Sequence, residues 1–113
     1  MKKFVVIYHA PAGAGGEMAK GNPEDMKKVM EAWMQWKEGC HGAVTEFGTP
    51  LGNGMSITPE GVEKSAQTVA GYTMMAAESM EAVVEMLKKH PHLNMPMGGC
   101  TIEVYESLPV PGM

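Results

Sequence analysis

Arginine is missing from this chain. All nine basic residues are scattered lysines, and thirteen acids leave a formal net charge of -4 at pH 7. Nucleic-acid backbones are gripped by clustered Lys and Arg, so this composition argues against a nucleic-acid partner. Long apolar runs are missing too: no stretch approaches the roughly 20 residues that span a bilayer, and no membrane segment is expected. Lys2 and Lys3 precede an apolar run at residues 4–8, but that run is too short for the core of a secretion signal and reads better as a strand. Without such a signal, the two cysteines, Cys40 and Cys100, are expected as free buried thiols in a reducing compartment, with the cytoplasm as the expected location. Aromatic residues are scarce at 6%, whereas methionine is abundant at 13. Methionine is adaptable core filler, and its excess alone points to no function.

What is present suffices for one domain over residues 1–113: 44% of the chain is apolar and 19% charged. Phe4-Val5-Val6-Ile7-Tyr8 is β-branched and aromatic and ends in the turn-forming stretch 10–21, which predicts a strand apolar on both faces. Asn22-Pro23-Glu24-Asp25 carries a helix start. Asn caps free amides, Pro fits the first turn, and the acids oppose the positive end of the dipole. Met26, Val29, Met30 and Trp33 then recur at helical spacing as an inward stripe, with Lys27, Lys28 and Glu31 outward and a stop at Gly39, which predicts a helix over 23–38. Trp33 is expected in the core and Trp36 partly exposed.

Ala43-Val44-Thr45-Glu46-Phe47 predicts a second strand, closed by a Gly- and Pro-rich loop over 48–54. Met55-Ser56-Ile57-Thr58 and Val62-Glu63-Lys64 flank Pro59-Glu60-Gly61 as a small edge hairpin. Residues 68–77, apolar on both faces around Gly71-Tyr72-Thr73-Met74-Met75, form a further interior strand. A second helix follows, capped by Ser79, with Met80, Val83, Val84 and Leu87 inward. Lys88-Lys89-His90 favour its negative end before Pro91 stops it. Thr101-Ile102-Glu103-Val104-Tyr105-Glu106 alternates cleanly as the last strand. This order is the split βαβ arrangement of a ferredoxin-like α+β fold, an antiparallel sheet with two helices on one face. Two helices cover a single face, yet two strands are apolar on both sides. The economical cover for the other face is a second copy of the chain, a two-fold homodimer.

Several segments together resemble a known family. They are Lys3-Phe4-Val5-Val6-Ile7-Tyr8-His9, the helix around Ala32-Trp33, the turn Gly48-Thr49-Pro50-Leu51-Gly52, and Gly71-Tyr72 entering a strand. Residues 79–93 and Gly99-Cys100-Thr101-Ile102-Glu103-Val104-Tyr105-Glu106 continue the pattern, and Pro109-Val110-Pro111-Gly112-Met113 closes it. In order and spacing these resemble the YCII-related family, in its DGPF-type branch, over nearly the whole chain. The resemblance implies a dimeric α+β barrel of ferredoxin-like subunits. The tetrapeptide that names the branch is absent, with Thr58-Pro59-Glu60-Gly61 near its place. A His/Asp pair proposed as catalytic in some relatives is also unmatched, its positions falling at Asp25 and near Asn53.

Imidazole both donates and accepts a proton near neutrality, so the four histidines come first among candidate groups. His9 ends the first strand where a group faces a pocket mouth, and it is the candidate proton-transfer residue; a structural or merely exposed role is the alternative. His90-Pro91-His92 with Cys100, and Cys40-His41, offer metal-ligand types, but at no spacing that marks a site, so no metal is expected. His90 reads instead as a helix-end cation and Cys100 as small apolar filler. Ala12-Gly13-Ala14-Gly15-Gly16 lies between strand and helix but lacks the Gly-Lys-Ser/Thr ending of a phosphate loop and the third glycine of a dinucleotide fingerprint, leaving a flexible loop or lid. Glu103 and Tyr105 share the face of the last strand opposite Ile102 and Val104, and Tyr72 and Glu46 line the same space. These four are the candidate ligand-binding residues, with cross-interface hydrogen bonding as the alternative for Glu103.

Two functions fit. One is a homodimeric small-molecule-binding protein or cofactor-independent enzyme, holding a small apolar or aromatic ligand between the sheet and its partner. The other is a non-catalytic dimeric adaptor or regulator. An open cavity of about 300 Å³ or more favours the first, and a cavity closed by side chains the second.

Overall fold

The computed structural model describes residues 1–11, 23–65, 68–95 and 98–112. In chain order these form β1 (Lys2–His9), α1 (Pro23–Gly39), β2 (Val44–Glu46), β3 (Met55–Thr58), β4 (Gly61–Lys64), β5 (Val69–Ala77), α2 (Met80–Leu87), a 3-10 turn (Pro91–Asn94) and β6 (Thr101–Glu106). β1 pairs antiparallel with β5 on one side and with β6 on the other, and β2 adds outside β5, giving the sheet order β2-β5-β1-β6. β3 and β4 make a separate two-stranded sheet. The chain is therefore α+β, with an antiparallel sheet and two helices, compatible with a ferredoxin-like α+β fold. Among the described residues no helix is long and apolar enough to cross a membrane.

The pleat of β1 organises the packing. Successive side chains leave a strand on opposite faces, so Phe4, Val6 and Tyr8 point to one side, where they are buried with Met75, Ala77, Trp36, Cys40, Val83 and Leu87. Ile102 and Val104 of β6 pack against the same cluster, which fixes Glu103 and Tyr105 on the opposite face, as the alternation predicts. α2 follows its sequence closely. The Ser79 hydroxyl accepts from the Ala82 amide at 3.2 Å, and Val83 and Leu87 form the buried stripe.

α1 does not. Met26 and Met30, expected inward, are exposed, Met30 by 50%, whereas Trp36, expected partly exposed, is buried and Trp33 only half-buried. At 3.6 residues per turn, Val29, Trp33, Trp36 and Cys40 share one stripe, and Met30 lies roughly a quarter-turn away. The indole Nε1 of Trp36 donates to the Met86 carbonyl at 2.8 Å, so α1 docks on α2 through its C-terminal end. That long-range bond, invisible in local periodicity, rotates the helix. The Asn22 cap lies outside the described residues, as does most of the Gly-rich stretch 10–21 with its expected lid and the Ala12-Gly16 run.

The turn after β2 explains two of the segments singled out in the sequence. Gly48 has a φ of 81°, and a Cβ there would stand 1.9 Å from the Tyr72 carbonyl oxygen. Pro50 then bridges Gly71, and the Leu51 amide donates to the Ala70 carbonyl at 2.9 Å. Gly48→Ala therefore meets both a left-handed backbone and a clash. It is expected to destabilise the chain by more than about 1 kcal/mol in urea unfolding, whereas Gly52→Ala, with open space around it, stays near wild type.

Candidate functional site on the open sheet face

The face of the sheet away from the helices carries three apolar positions framed by polar ones. Register places Met74 and Tyr105 on either side of Val5, and Tyr72 and Glu103 on either side of Ile7, with Glu46 beyond Met74. Val5, Ile7 and Met74 thus form a half-buried floor. Tyr72 and Glu46 stand at one edge, their hydroxyl and carboxylate 3.4 Å apart, and Glu103 and Tyr105 at the other. With strands spaced about 4.8 Å, the floor between the flanking edges is about 14 Å across, the scale of a small planar molecule.

His9 closes the third row, and its imidazole is engaged at both nitrogens. Nδ1 lies 2.8 Å from the Thr68 hydroxyl. Nε2 lies 2.5 Å from Glu103 Oε1, a close contact that is an ion pair when the imidazole is protonated. The other Glu103 oxygen accepts from the Tyr105 hydroxyl at 2.8 Å. That bond, more than the imidazole, holds the Glu103 carboxyl below the usual carboxylate range, and in return lifts the Tyr105 phenol. The result is a Thr68–His9–Glu103–Tyr105 chain, able to orient an imidazole and pass a proton along one edge of the floor. All five expected residues lie on this face, in two groups: His9 with Glu103 and Tyr105, and Tyr72 with Glu46. Thr68 is the member that no local motif marks, because its place follows from a register set by β5 pairing.

No family model and no curated protein matches the chain. The reading of the site therefore rests on its own geometry. Two grooves lie elsewhere: one of about 760 Å³ between the helices, floored by Trp36 and Met86, and one of about 290 Å³ near Met1 and His41. Neither is lined by any of the five residues. Among the described residues no group of three or more His, Cys, Asp or Glu side chains is placed to hold a metal ion. Cys40 and Cys100 are free and buried, and burial pushes both thiols up, away from nucleophilic character.

Beneath the site, on the helix side, His90 and His92 form its support. His92 is buried and its Nε2 donates to the His9 carbonyl at 2.8 Å, fixing the strand end that carries the site. His90 corrects the sequence reading. It is not a helix-end cation but a fully buried neutral ring, its Nδ1 accepting from the His92 amide at 2.9 Å. Its ring centroid sits 4.3 Å from those of both Trp33 and Trp36, and burial first, then His92, pushes its pKa down to about 3. α2 ends at Leu87, and His90 is the N-cap of the 3-10 turn that Pro91 opens, so its ring turns inward rather than along the helix axis. Tyr8 completes the cluster: its hydroxyl donates to Thr73 at 2.7 Å, Thr73 donates to the Phe47 carbonyl, and burial pushes the phenol up to about 12.

These two groups set a pH window for stability. Unfolded chains protonate His90 below about pH 6.5, whereas the folded chain resists until about 3, so the unfolded state binds more protons and stability falls as pH drops across that interval. Tyr8 acts at the other end: its stabilisation is lost as pH rises from about 10 towards 12. Unfolding free energies from urea titrations between pH 6.5 and 5, above most carboxylate titrations, are expected to fall for the wild type by up to about 1.4 kcal/mol per pH unit. They should stay flatter in His90→Gln, which keeps a neutral acceptor for the His92 amide.

Proposed function

We infer that this chain is a homodimeric small-molecule-binding protein, or a cofactor-independent enzyme, that holds a small apolar or aromatic ligand between its open sheet face and a second copy. In this reading His9 transfers a proton, Glu103 and Tyr105 orient it, and Tyr72 and Glu46 hold the far end of the ligand. The observation that carries the reading is the Thr68–His9–Glu103–Tyr105 chain beside the Val5, Ile7 and Met74 floor, a proton-handling group next to apolar surface. The order β6-β1-β5-β2, with a helix after β1 and another after β5, supports a ferredoxin-like split βαβ subunit. The resemblance to the DGPF-type branch of the YCII-related family supports the dimeric α+β barrel.

The floor supports the partner: Val5, Ile7 and Met74 are half-buried on a face that the two helices do not cover, and a second copy is the economical cover. A non-catalytic adaptor is the second reading. It is favoured by the engagement of both His9 nitrogens, which leaves neither free for a substrate in the single chain.

The carboxylates of Glu46 and Glu103 set the sign of the ligand. Light scattering is expected to give twice the mass of one chain. In a thermal-shift panel, small aromatic alcohols and amines should stabilise the wild type more than the corresponding acids, and His9→Ala or Glu103→Gln should lose that shift. A monomer, or a dimer stabilised by no member of the panel, would reject the ligand-binding reading, the second result in favour of the adaptor.

A further inference from the structure

The β3–β4 hairpin is the part of the fold that a single copy explains least. Two strands alone are marginal in water, and these pair only with each other, Ile57 facing Val62 and Met55 facing Lys64. Alternation gathers Met55, Ile57 and Val62 on one side of the ribbon, with Lys64 at its end, and the three apolar side chains are 59%, 78% and 60% exposed. Ser56 and Glu63 occupy the other side. A ribbon with one apolar face and no sheet behind it calls for a surface to lie on.

Its root shows where that surface is. The Pro50–Gly71 bridge and the bond from the Leu51 amide to Ala70 tie the base of the hairpin to the start of β5, and Val69 there pairs with His9. Hairpin and His9–Glu103 pair thus lie at the same end of the sheet, the hairpin towards the β2 edge and Glu103 on the β6 edge. Stacking two open faces about a two-fold axis that runs along the strands sets each β2 edge over the other copy's β6 edge, with like ends together. Sheets pack about 10 Å apart, so the hairpin of one copy then reaches the Glu103 end of the other. A two-fold axis across the strands brings opposite ends together and takes the hairpin away from it.

We propose that the β3–β4 hairpin is an exchanged arm, whose apolar face covers the His9–Glu103 end of the sheet in a second copy of this chain, so that each site is built from two chains. The proposal rests on the dimer reading above and adds the part that completes the site. In one chain the Glu103 side chain is 52% exposed, so its side of the contact with the buried His9 Nε2 is open to water. Met55, Ile57 and Val62 supply an apolar roof, which strengthens the charge contact and gives an apolar ligand a second wall.

The test uses full-length chains. Ile57→Cys and Tyr105→Cys variants are co-expressed and treated with a short bis-maleimide, with the wild type and each variant alone as controls; native Cys40 and Cys100 are buried. The expected result is a product of two chains that is strong in the mixture and weak in every control. In a second experiment, Ile57→Asp with Val62→Asp should raise the dimer dissociation constant about a hundredfold, with the circular-dichroism spectrum of the chain retained. A wild-type dimer that gives no mixed product, and whose dissociation the double variant leaves unchanged, overturns the arm and leaves the dimer reading standing. A monomeric wild type overturns both.

Discussion

The alternation of side chains along β1 is the constraint on which the rest of the molecule depends. β1 is flanked by strands on both sides, so its backbone groups are satisfied by pairing and its side chains are divided strictly between two surfaces. Phe4, Val6 and Tyr8 go to the helices and build the core. Val5, Ile7 and His9 go to the other side and build the site. A slip of one residue would exchange the two sets, burying an imidazole and exposing the three largest core groups of the strand. The packing that stabilises the fold therefore also determines which residues the open face presents.

Core and site are joined through backbone as well as register. His92, buried on the helix side, holds the carbonyl of His9, while the His9 side chain leaves the opposite face towards Glu103. The rings of Tyr8, Trp33, Trp36 and His90 pack around that support. A neutral His90 makes sense there, since a charged imidazole among these rings would lose its hydration with no acid in contact to replace it. The open face is chemically the reverse: its carboxylates are exposed and accept phenolic hydrogen bonds. One strand thus separates a dry compartment of neutral polar groups from a wet one carrying charge.

Much of this architecture was legible in the residues. Ser79 caps α2 as its position predicts, the last strand is Thr101–Glu106 as its alternation predicts, and the placement of Glu103 and Tyr105 opposite Ile102 and Val104 follows from that period of two. The misses share a cause. Trp36 became the buried tryptophan because a carbonyl on α2, fifty residues away in the chain, accepts its N–H, and His90 became a core ring because Pro91 turned the chain inward. Helical periodicity reports which residues share a stripe, but not which part of a broad stripe meets its neighbour.

Local order therefore came from the sequence: the elements, the Ser79 cap, the composition of each strand face, and the short list of residues able to handle a proton. Which of them meet was decided in three dimensions. His9 and Glu103 are neighbours only because β1 and β6 pair in one register, and Thr68 joins them only because β5 runs on the other side. Hydrogen-bonded pairing between strands far apart in the chain sets that register, and side chains brought together in this way carry no mark of it in their local sequence.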